Sequence, residues 1–460
     1  MHKSNYNGNE GKSRIKVTSS MTMINPNTAG VDVGSGFHWV CVGSDHAEEN
    51  IRKFGAYTGE LKEMAEWLKS CGITSVAMES TGVYWIPLYQ ILEDFGFDVV
   101  LVNARHLKSV SGRPKTDVYD CQWIQRLHSY GLLNASFRPA NEICEIRTLK
   151  RHRDNLVRSS SRHILHMQKV LQLSNIRLDK AVSDITGKTG MTIIEKILNG
   201  ERDPSVLAEY RDRHLKATKK EVAKALEGDY REEYLFLLKQ AYDSYCFVAR
   251  QIEDCDREIE KRLCSLNKKI DGNLELPVAS KNGVKYKKVK KSEFGTRVLL
   301  YKSFGVDLTR VDGFQVNTVL TLLAEIGTDM SKWKTDKHFA SWLGLCVNKE
   351  ISGGRVLKNR TRKVCNRASA ALRMAASSLK NSDCYLGVFF RRIRSKAGSC
   401  KAITATARKL AVIFYNMVKF QREYEALDTG FYDEKYKTRI LTNLKKRAQL
   451  MGYELVAKAI

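Results

Sequence analysis

Between residues 28 and 140 the apolar and polar positions follow the pattern of a mixed α/β unit. The predicted strands cover residues 28–33, 37–42, 74–78 and 97–102. Apolar residues three and four positions apart predict helices, which cover residues 59–70 and 84–95. Thr58 is the expected N-cap of the first helix, and Thr116 is the expected N-cap of a third. Asp32 and Glu79 therefore fall near the ends of two predicted strands.

The rest of the chain has mostly helical periodicity. Residues 142–266 contain one proline and many charges around an apolar stripe, which predicts long antiparallel helices or a coiled-coil arm. The first 27 residues are rich in Ser, Asn, Gly and Lys and lack the apolar segment of a secretory signal. The predicted division is a disordered leader (1–27), an α/β domain (28–141), a helical or coiled-coil arm (142–270), a mainly α C-terminal domain (271–422) and a basic helical tail (423–460).

Composition and charge exclude some classes of function and favour others. The chain has 460 residues, and Lys+Arg exceed Asp+Glu by 77 to 51, a formal net charge of +26. That excess argues against an ordinary enzyme acting on small neutral metabolites and indicates a polyanionic partner, since Lys and Arg bind phosphates and release counterions. The odd number of cysteines, 11, without a C-x-x-C pair, favours a reducing, cytoplasmic compartment. No apolar run approaches the length of about 20 residues that crosses a bilayer, so no membrane span is expected.

Two acids, Asp117 and Asp120, lie three residues apart where a helix is expected to begin, so both point to one side. Taken alone, they are better explained by their favourable interaction with the helix macrodipole. Asp32 and Glu79 change this interpretation, because α/β sheets gather their sites at strand ends. Four converging acids would repel one another unless hard cations lay between them, which predicts bound Mg²⁺, with two ions able to serve phosphodiester chemistry.

Ser352 is followed by two glycines and a basic segment without acids. The basic residues that follow it include Arg355, Lys358, Arg360, Arg362 and Lys363. Glycines allow close approach of the backbone to a phosphate, and guanidinium groups favour an anionic oxygen or phosphoryl group. The alternative is an ordinary Ser-Gly-Gly turn beside a phosphate-binding surface.

Two other basic segments, the loop around Arg105 and Lys115 and residues 281–291, are candidates for nucleic-acid binding. Residues 281–291 hold six lysines and no acid, and a solvated linker explains them equally well. The candidate contacts in these segments are Arg105, Lys115, Lys285, Lys287, Lys288 and Lys290. Trp123, Trp333 and Trp342 lie in amphipathic segments and are predicted to be core residues.

Several motifs in order resemble those of the DEDD transposases of bacterial insertion sequences. The matching stretches are Val31-Asp32-Val33, MESTGVYW at 78–85, VNARH at 102–106, KTDVYD at 115–120, LLAEIG at 322–327, HFASWLGLC at 338–346 and ISGG at 351–354. The resemblance implies a RuvC-like (RNase H-like) N-terminal domain, a coiled-coil arm, and a C-terminal transposase domain. It also implies that Asp32, Glu79, Asp117 and Asp120 bind metal and that Ser352 is the nucleophile.

The resemblance further implies guidance by a structured non-coding bridge RNA that pairs with donor and target DNA. Acids of one protomer and the serine of another would form a composite site with two Mg²⁺ ions in a dimer or tetramer. Two alternatives remain open from the residues alone. One is a hydrolytic, RuvC-like, structure-selective endonuclease in which Ser352 only binds phosphate, and the other is a catalytically inactive nucleic-acid-binding scaffold.

Overall fold

A computed structural model of the chain describes residues 23–103, 116–267, 291–425, 431–454 and 456. The candidate contacts outside these residues are Arg105, Lys115, Lys285, Lys287, Lys288 and Lys290. The chain divides into two compact units, Met1–Arg138 and Pro139–Ile460. The five-part division from the sequence remains a prediction.

The first unit is built on a five-stranded mixed sheet. Its strands are β1 (Thr28–Val33), β2 (Phe37–Val42), β3 (Ile51–Gly55), β4 (Ser75–Glu79) and β5 (Asp98–Val102). The strand order is β3-β2-β1-β4-β5, with β1, β4 and β5 parallel and β2 antiparallel to both β1 and β3. This arrangement confirms the predicted α/β class and is consistent with a RuvC-like fold.

Helices cover both faces of this sheet. Those among the described residues are α1 (Thr58–Ser70), α2 (Trp85–Asp94) and α3 (Asp117–Ser129). On one face, Met64 and Leu68 of α1 and Leu88 and Leu92 of α2 are fully buried in the main core. Each such side chain contributes roughly 1.5–3 kcal/mol on burial. Ile124 of α3 packs in a smaller cluster on β4 and β5.

Two local predictions in this unit differ from the structure. The helix α1 begins at Thr58 itself, and its N-cap is Tyr57, so the predicted Thr58 cap is wrong. The physical reason is that the Tyr57 backbone N–H donates to Glu60 Oε2 at 3.1 Å, which satisfies the helix start without a Thr58 hydroxyl. The edge strand β3 was not predicted, because its sequence, IRKFG, is half-exposed and charged.

The second unit begins with a two-helix arm. Helices α4 (Asn141–Leu173) and α9 (Glu232–Asn267) run antiparallel, with ion pairs between Arg262 and Glu145 at 3.0 Å and between Arg153 and Asp256. Four short helices connect them: α5 (Leu178–Ala181), α6 (Lys188–Leu198), α7 (Pro204–Glu209) and α8 (Lys219–Leu226). These short helices share a hydrophobic core with the adjoining ends of α4 and α9, so the arm ends in a small helical cap.

The remainder of the second unit is mostly helical and contains one two-stranded sheet among its described residues. The helices are α10 (Lys291–Phe304), α11 (Val316–Ile326), α12 (Asp336–Trp342), α13 (Arg367–Ser378), α14 (Tyr385–Ala397), α15 (Ser399–Phe420) and α16 (Phe431–Leu450). Between α12 and α13 lie β6 (Val347–Ser352) and β7 (Arg355–Thr361). Phe339, Phe414 and Tyr415 are fully buried at the centre of this region. No described helix combines the length and the apolar character that a bilayer crossing demands.

An ion pair joins the arm to this helical region. Arg151 on α4 donates to both carboxylate oxygens of Glu325 on α11, at 2.9 and 2.8 Å. Arg147, one turn earlier, donates to the backbone carbonyls of Ala324 and Glu325, at 3.0 Å each. These charge-assisted bonds also satisfy carbonyl groups at the C-terminal end of α11, which lack partners within the helix.

Candidate active site

Two acids stand side by side at one edge of the N-terminal sheet. Asp32 is the next-to-last residue of β1, and Glu79 is the last residue of β4. The parallel register pairs Val31 with Met78, so the following residues, Asp32 and Glu79, occupy neighbouring positions. Both lie at the carboxyl ends of parallel strands, where sheets of this kind form their sites.

Helix α3 supplies the other two acids. The Thr116 hydroxyl accepts the backbone N–H of Tyr119 at 3.4 Å and caps the helix, which confirms the predicted cap. Asp117 and Asp120 lie in its first turn, with Asp117 exposed and Asp120 half-buried.

Gly30 sets the distance between α3 and the sheet. A Cβ atom at Gly30 would lie 2.2 Å from the Gln125 backbone nitrogen and 2.5 Å from the Cys121 carbonyl oxygen. Only glycine permits that approach. Since side chains two residues apart on a strand share a face, Asp32 lies on the same face as Gly30, the face covered by α3.

The electrostatics of Cys121 also indicate that Asp32 lies close to α3. The thiols of Cys41 on β2 and Cys121 on α3 are buried, and they donate to the backbone carbonyls of Val42 at 3.3 Å and Val118 at 3.1 Å. The neighbouring Cys41 thiol and burial raise the pKa of Cys121, and the charge of Asp32 raises it further. Cys121 directly follows Asp120 in the sequence.

The donor chemistry of these acids fits a divalent metal ion. Carboxylate oxygens are the ligands that Mg²⁺ prefers, and Thr81 Oγ1 already donates to Glu79 Oε1 at 3.2 Å, which orients that carboxylate. In the part of the chain that the structure describes, no three Asp, Glu, His or Cys side chains stand close enough to hold one ion. The four-acid metal site therefore remains a prediction supported by strand and helix placement.

Ser352 lies at the tip of an exposed hairpin. It ends β6 and pairs with Arg355, the first residue of β7, across a two-residue turn. Gly353 and Gly354 adopt φ of +54° and +74°, as a type I′ hairpin turn requires. Ser352 is exposed, so its hydroxyl is accessible to a macromolecule.

A β-bulge decides which basic residues accompany Ser352. Ile351 pairs with Val356, whereas Glu350 pairs with Lys358, so Leu357 is the extra residue. Simple alternation from Arg355 would put residues 357 and 359 beside Ser352. The bulge instead brings Lys358 and Arg360 to the face that carries Ser352 and Arg355.

The other predicted phosphate contacts of this segment have distinct settings. Lys358 forms an exposed ion pair with Glu350 at 2.8 Å. Arg362 donates to the Ser341 carbonyl at 2.6 Å and so helps to attach the base of the hairpin to the domain. Lys363 is exposed in the segment between β7 and α13.

Comparison with known families gives two matches. A model of DEDD transposases of the IS110 type matches residues 29–176, the region that contains Asp32, Glu79, Asp117 and Asp120. A second model, the transposase IS116/IS110/IS902 family, matches residues 307–386, which include Ser352. The chain belongs to this IS110-type family of insertion-sequence transposases. No curated protein matches the chain.

The family implies an enzyme that cuts and rejoins DNA and uses divalent metal in general. Sequence reasoning missed the Cys41–Cys121 thiol pair and the Leu357 bulge, because both depend on how separate elements pair. It also assigned all three tryptophans to the core. Trp333 is buried, whereas Trp342 and Trp123 are only half-buried, and Trp123 lines a cavity.

Proposed function

We propose that this transposase is a Mg²⁺-dependent recombinase in which Asp32, Glu79, Asp117 and Asp120 bind the metal and Ser352 attacks the DNA. The observation that carries the proposal is the meeting of β1, β4 and α3 at one sheet edge, each element contributing acids. That edge lies within the matched DEDD region. The exposed serine lies within the second matched region.

The four carboxylates would hold the metal ion at the sheet edge. When bound, Mg²⁺ supplies Lewis-acid polarisation of the scissile phosphate. Gly30 keeps α3 against β1, so that Asp117 and Asp120 stay on the side of the sheet that carries Asp32. Thr81 holds the Glu79 carboxylate through its hydroxyl.

The hairpin would present the nucleophile. Ser352 Oγ forms a bond to phosphorus as the bond from phosphorus to the leaving deoxyribose oxygen breaks. The serine proton leaves to solvent, and the leaving oxygen takes up a proton. Arg355, Lys358 and Arg360, on the same face of the hairpin, would bind the neighbouring phosphates. The bond energy is retained in the phosphoserine diester, so a second DNA hydroxyl rejoins the strand by the reverse exchange.

The resemblance supports the remaining parts of the proposal. A bridge RNA would read donor and target DNA by base pairing, which leaves the protein to bind backbone, in keeping with a net charge of +26. The acids of one protomer and Ser352 of another would complete each site in a dimer or tetramer, within the cytoplasm. Lys285, Lys287, Lys288, Lys290, Arg105 and Lys115 would add phosphate contacts.

A covalent adduct distinguishes this mechanism from hydrolysis. The protein is incubated with Mg²⁺, copurified RNA and a nicked DNA substrate that cannot be rejoined, and is then digested for mass spectrometry. We expect a nucleotide on Ser352, which Ser352→Ala abolishes. Ser395→Ala, an exposed serine on α14, is the matched control and should retain the adduct.

The two alternatives predict other outcomes. DNA cleavage without any serine adduct, undiminished in Ser352→Ala, would show a hydrolytic endonuclease. Unchanged transposition in Glu79→Ala and Asp117→Ala would show a binding scaffold with unused acids.

A further inference from the structure

Helix α3 lines a cavity that the four acids do not enter. The cavity has a volume of about 390 Å³ and is lined by α3, by the end of β2 and by Gly43, Ser44, Asp45 and Asn50, which lie between β2 and β3. Along α3, Tyr119, Gln122, Trp123, Arg126 and Tyr130 line it. These positions recur three or four residues apart, so they form one continuous face of the helix.

The lining combines aromatic rings with amide groups. Trp123 and Tyr130 are half-buried, and Tyr119 is 50% exposed. Gln122 and Gln125 offer both hydrogen-bond donors and acceptors, and Arg126 is exposed. The buried Nε1 of Trp123 has no hydrogen-bond acceptor among the described residues. Buried indole N–H groups ordinarily have an acceptor, so this donor is an exception within the wall of the cavity.

The chemistry of this lining selects among ligands. An apolar ligand would leave the amide groups of Gln122 and Gln125 without partners. A free inorganic anion would meet the Asp45 carboxylate as well as Arg126. A duplex is too wide for a cavity of about 390 Å³, which lies near the lower end of the usual range for small-ligand pockets, ~300–1,000 Å³.

We infer that this cavity binds one unpaired nucleobase of a nucleic-acid strand, with the aromatic side chains stacking on the ring and Gln122 and Gln125 contacting its edge. Aromatic stacking combined with amide hydrogen bonds is how proteins bind splayed-out bases. Arg126 is placed to bind the adjoining phosphate. The inference rests on the proposed function, because α3 also carries Asp117 and Asp120, so a strand held at the acids passes the same helix.

Photo-crosslinking of the full-length protein tests the inference. Twelve-nucleotide strands containing 5-iodouracil, as DNA, as RNA and as a DNA duplex, are irradiated with the protein in EDTA and digested with trypsin. The sequence predicts a tryptic peptide, residues 116–126, that holds Tyr119, Gln122 and Trp123. We expect adducts on this peptide with a single strand and none with the duplex. Labelling by only DNA or only RNA identifies the source of the base.

Affinity measurements provide a second readout. Gln122→Ala combined with Gln125→Ala should weaken single-strand binding about tenfold, or about 1.4 kcal/mol, and leave duplex binding unchanged. Gln240→Ala, an exposed glutamine on α9, is the matched control and should bind like wild type. Circular dichroism melting verifies that each variant is folded.

Three results would overturn the inference. One is the absence of adducts on residues 116–126 with either single strand, and another is wild-type affinity of the folded double variant. The third is labelling that appears only after residues 1–20 are deleted, because the chain's own N-terminal segment would then fill the cavity. EDTA prevents metal-dependent cleavage, so none of these outcomes depends on whether Ser352 or the acids are catalytic.

Discussion

Substitution of Gly30 by alanine should slow DNA strand joining without weakening the binding of duplex DNA. The added Cβ would lie 2.2 Å from the Gln125 nitrogen, against an ordinary contact of about 3.4 Å, so α3 must move outward by ~1 Å. Overpacking of this kind costs about 1–3 kcal/mol of folding free energy. The same displacement would move Asp117 and Asp120 relative to Asp32, and a misplacement of ~1 Å lowers catalytic rates on the order of 100-fold.

The assay compares three quantities for each variant: the free energy of unfolding from guanidinium titration, DNA affinity from fluorescence anisotropy, and the strand-joining rate. For Gly30→Ala we expect lower stability, unchanged affinity for duplex DNA and strand joining at least tenfold slower. Gly59→Ala is the matched control, because no atom lies within 4 Å of its Cβ position. It should stabilise the protein by about 0.4–1 kcal/mol without slowing joining. Strand joining at the wild-type rate in Gly30→Ala would show that the position of α3 against β1 does not control catalysis.

Three further substitutions test an ion pair, the orientation of the hairpin and the burial of a histidine. Glu325→Gln breaks the bidentate ion pair with Arg151 and should lower the free energy of unfolding by about 1–3 kcal/mol. The expected loss is smaller than for a fully buried pair because Arg151 is 42% exposed. An unchanged denaturation midpoint would contradict this prediction. Arg360 lies on the Ser352 face of the hairpin, and Arg360→Ala should weaken DNA binding and reduce its salt dependence. Lys349 lies on the opposite face, and Lys349→Ala should have a smaller effect on both quantities. Equal effects of the two substitutions would show that the bulge does not orient these residues. Burial lowers the pKa of His38, so a protonated His38 opposes folding. The stability that depends on a neutral His38 is complete above pH ~6.5 and declines as the pH falls. His38→Leu should flatten the fall in unfolding free energy below pH ~6.5, and an unchanged pH profile would exclude the effect.

The sheet and the acid positions were predictable because local patterns specify them. Runs of apolar residues mark β1, β4 and β5, and the Thr116 hydroxyl marks the start of α3 three residues before its partner N–H. Parallel strands end at the same edge, so Asp32 and Glu79 could be placed together without coordinates.

Features that depend on pairing between distant elements were not predictable. The strand β3 has too few buried residues to show alternation, and the exposed hairpin of β6 and β7 has no buried face. The bulge at Leu357 appears only when the two strands are aligned. The cavity beside α3 requires residues between β2 and β3, such as Asp45 and Asn50, to lie near that helix, which no spacing within α3 reveals.

Metal binding tests the central claim most directly. Electron paramagnetic resonance with Mn²⁺, as a substitute for Mg²⁺, measures binding to the wild type, to Asp32→Asn and to Asp120→Asn. Asp98→Asn is the control, since Asp98 begins β5 at the opposite edge of the same sheet. We expect strong loss of Mn²⁺ binding in Asp32→Asn and Asp120→Asn and wild-type binding in Asp98→Asn. Equal Mn²⁺ binding by all four proteins would contradict a metal site built by β1, β4 and α3.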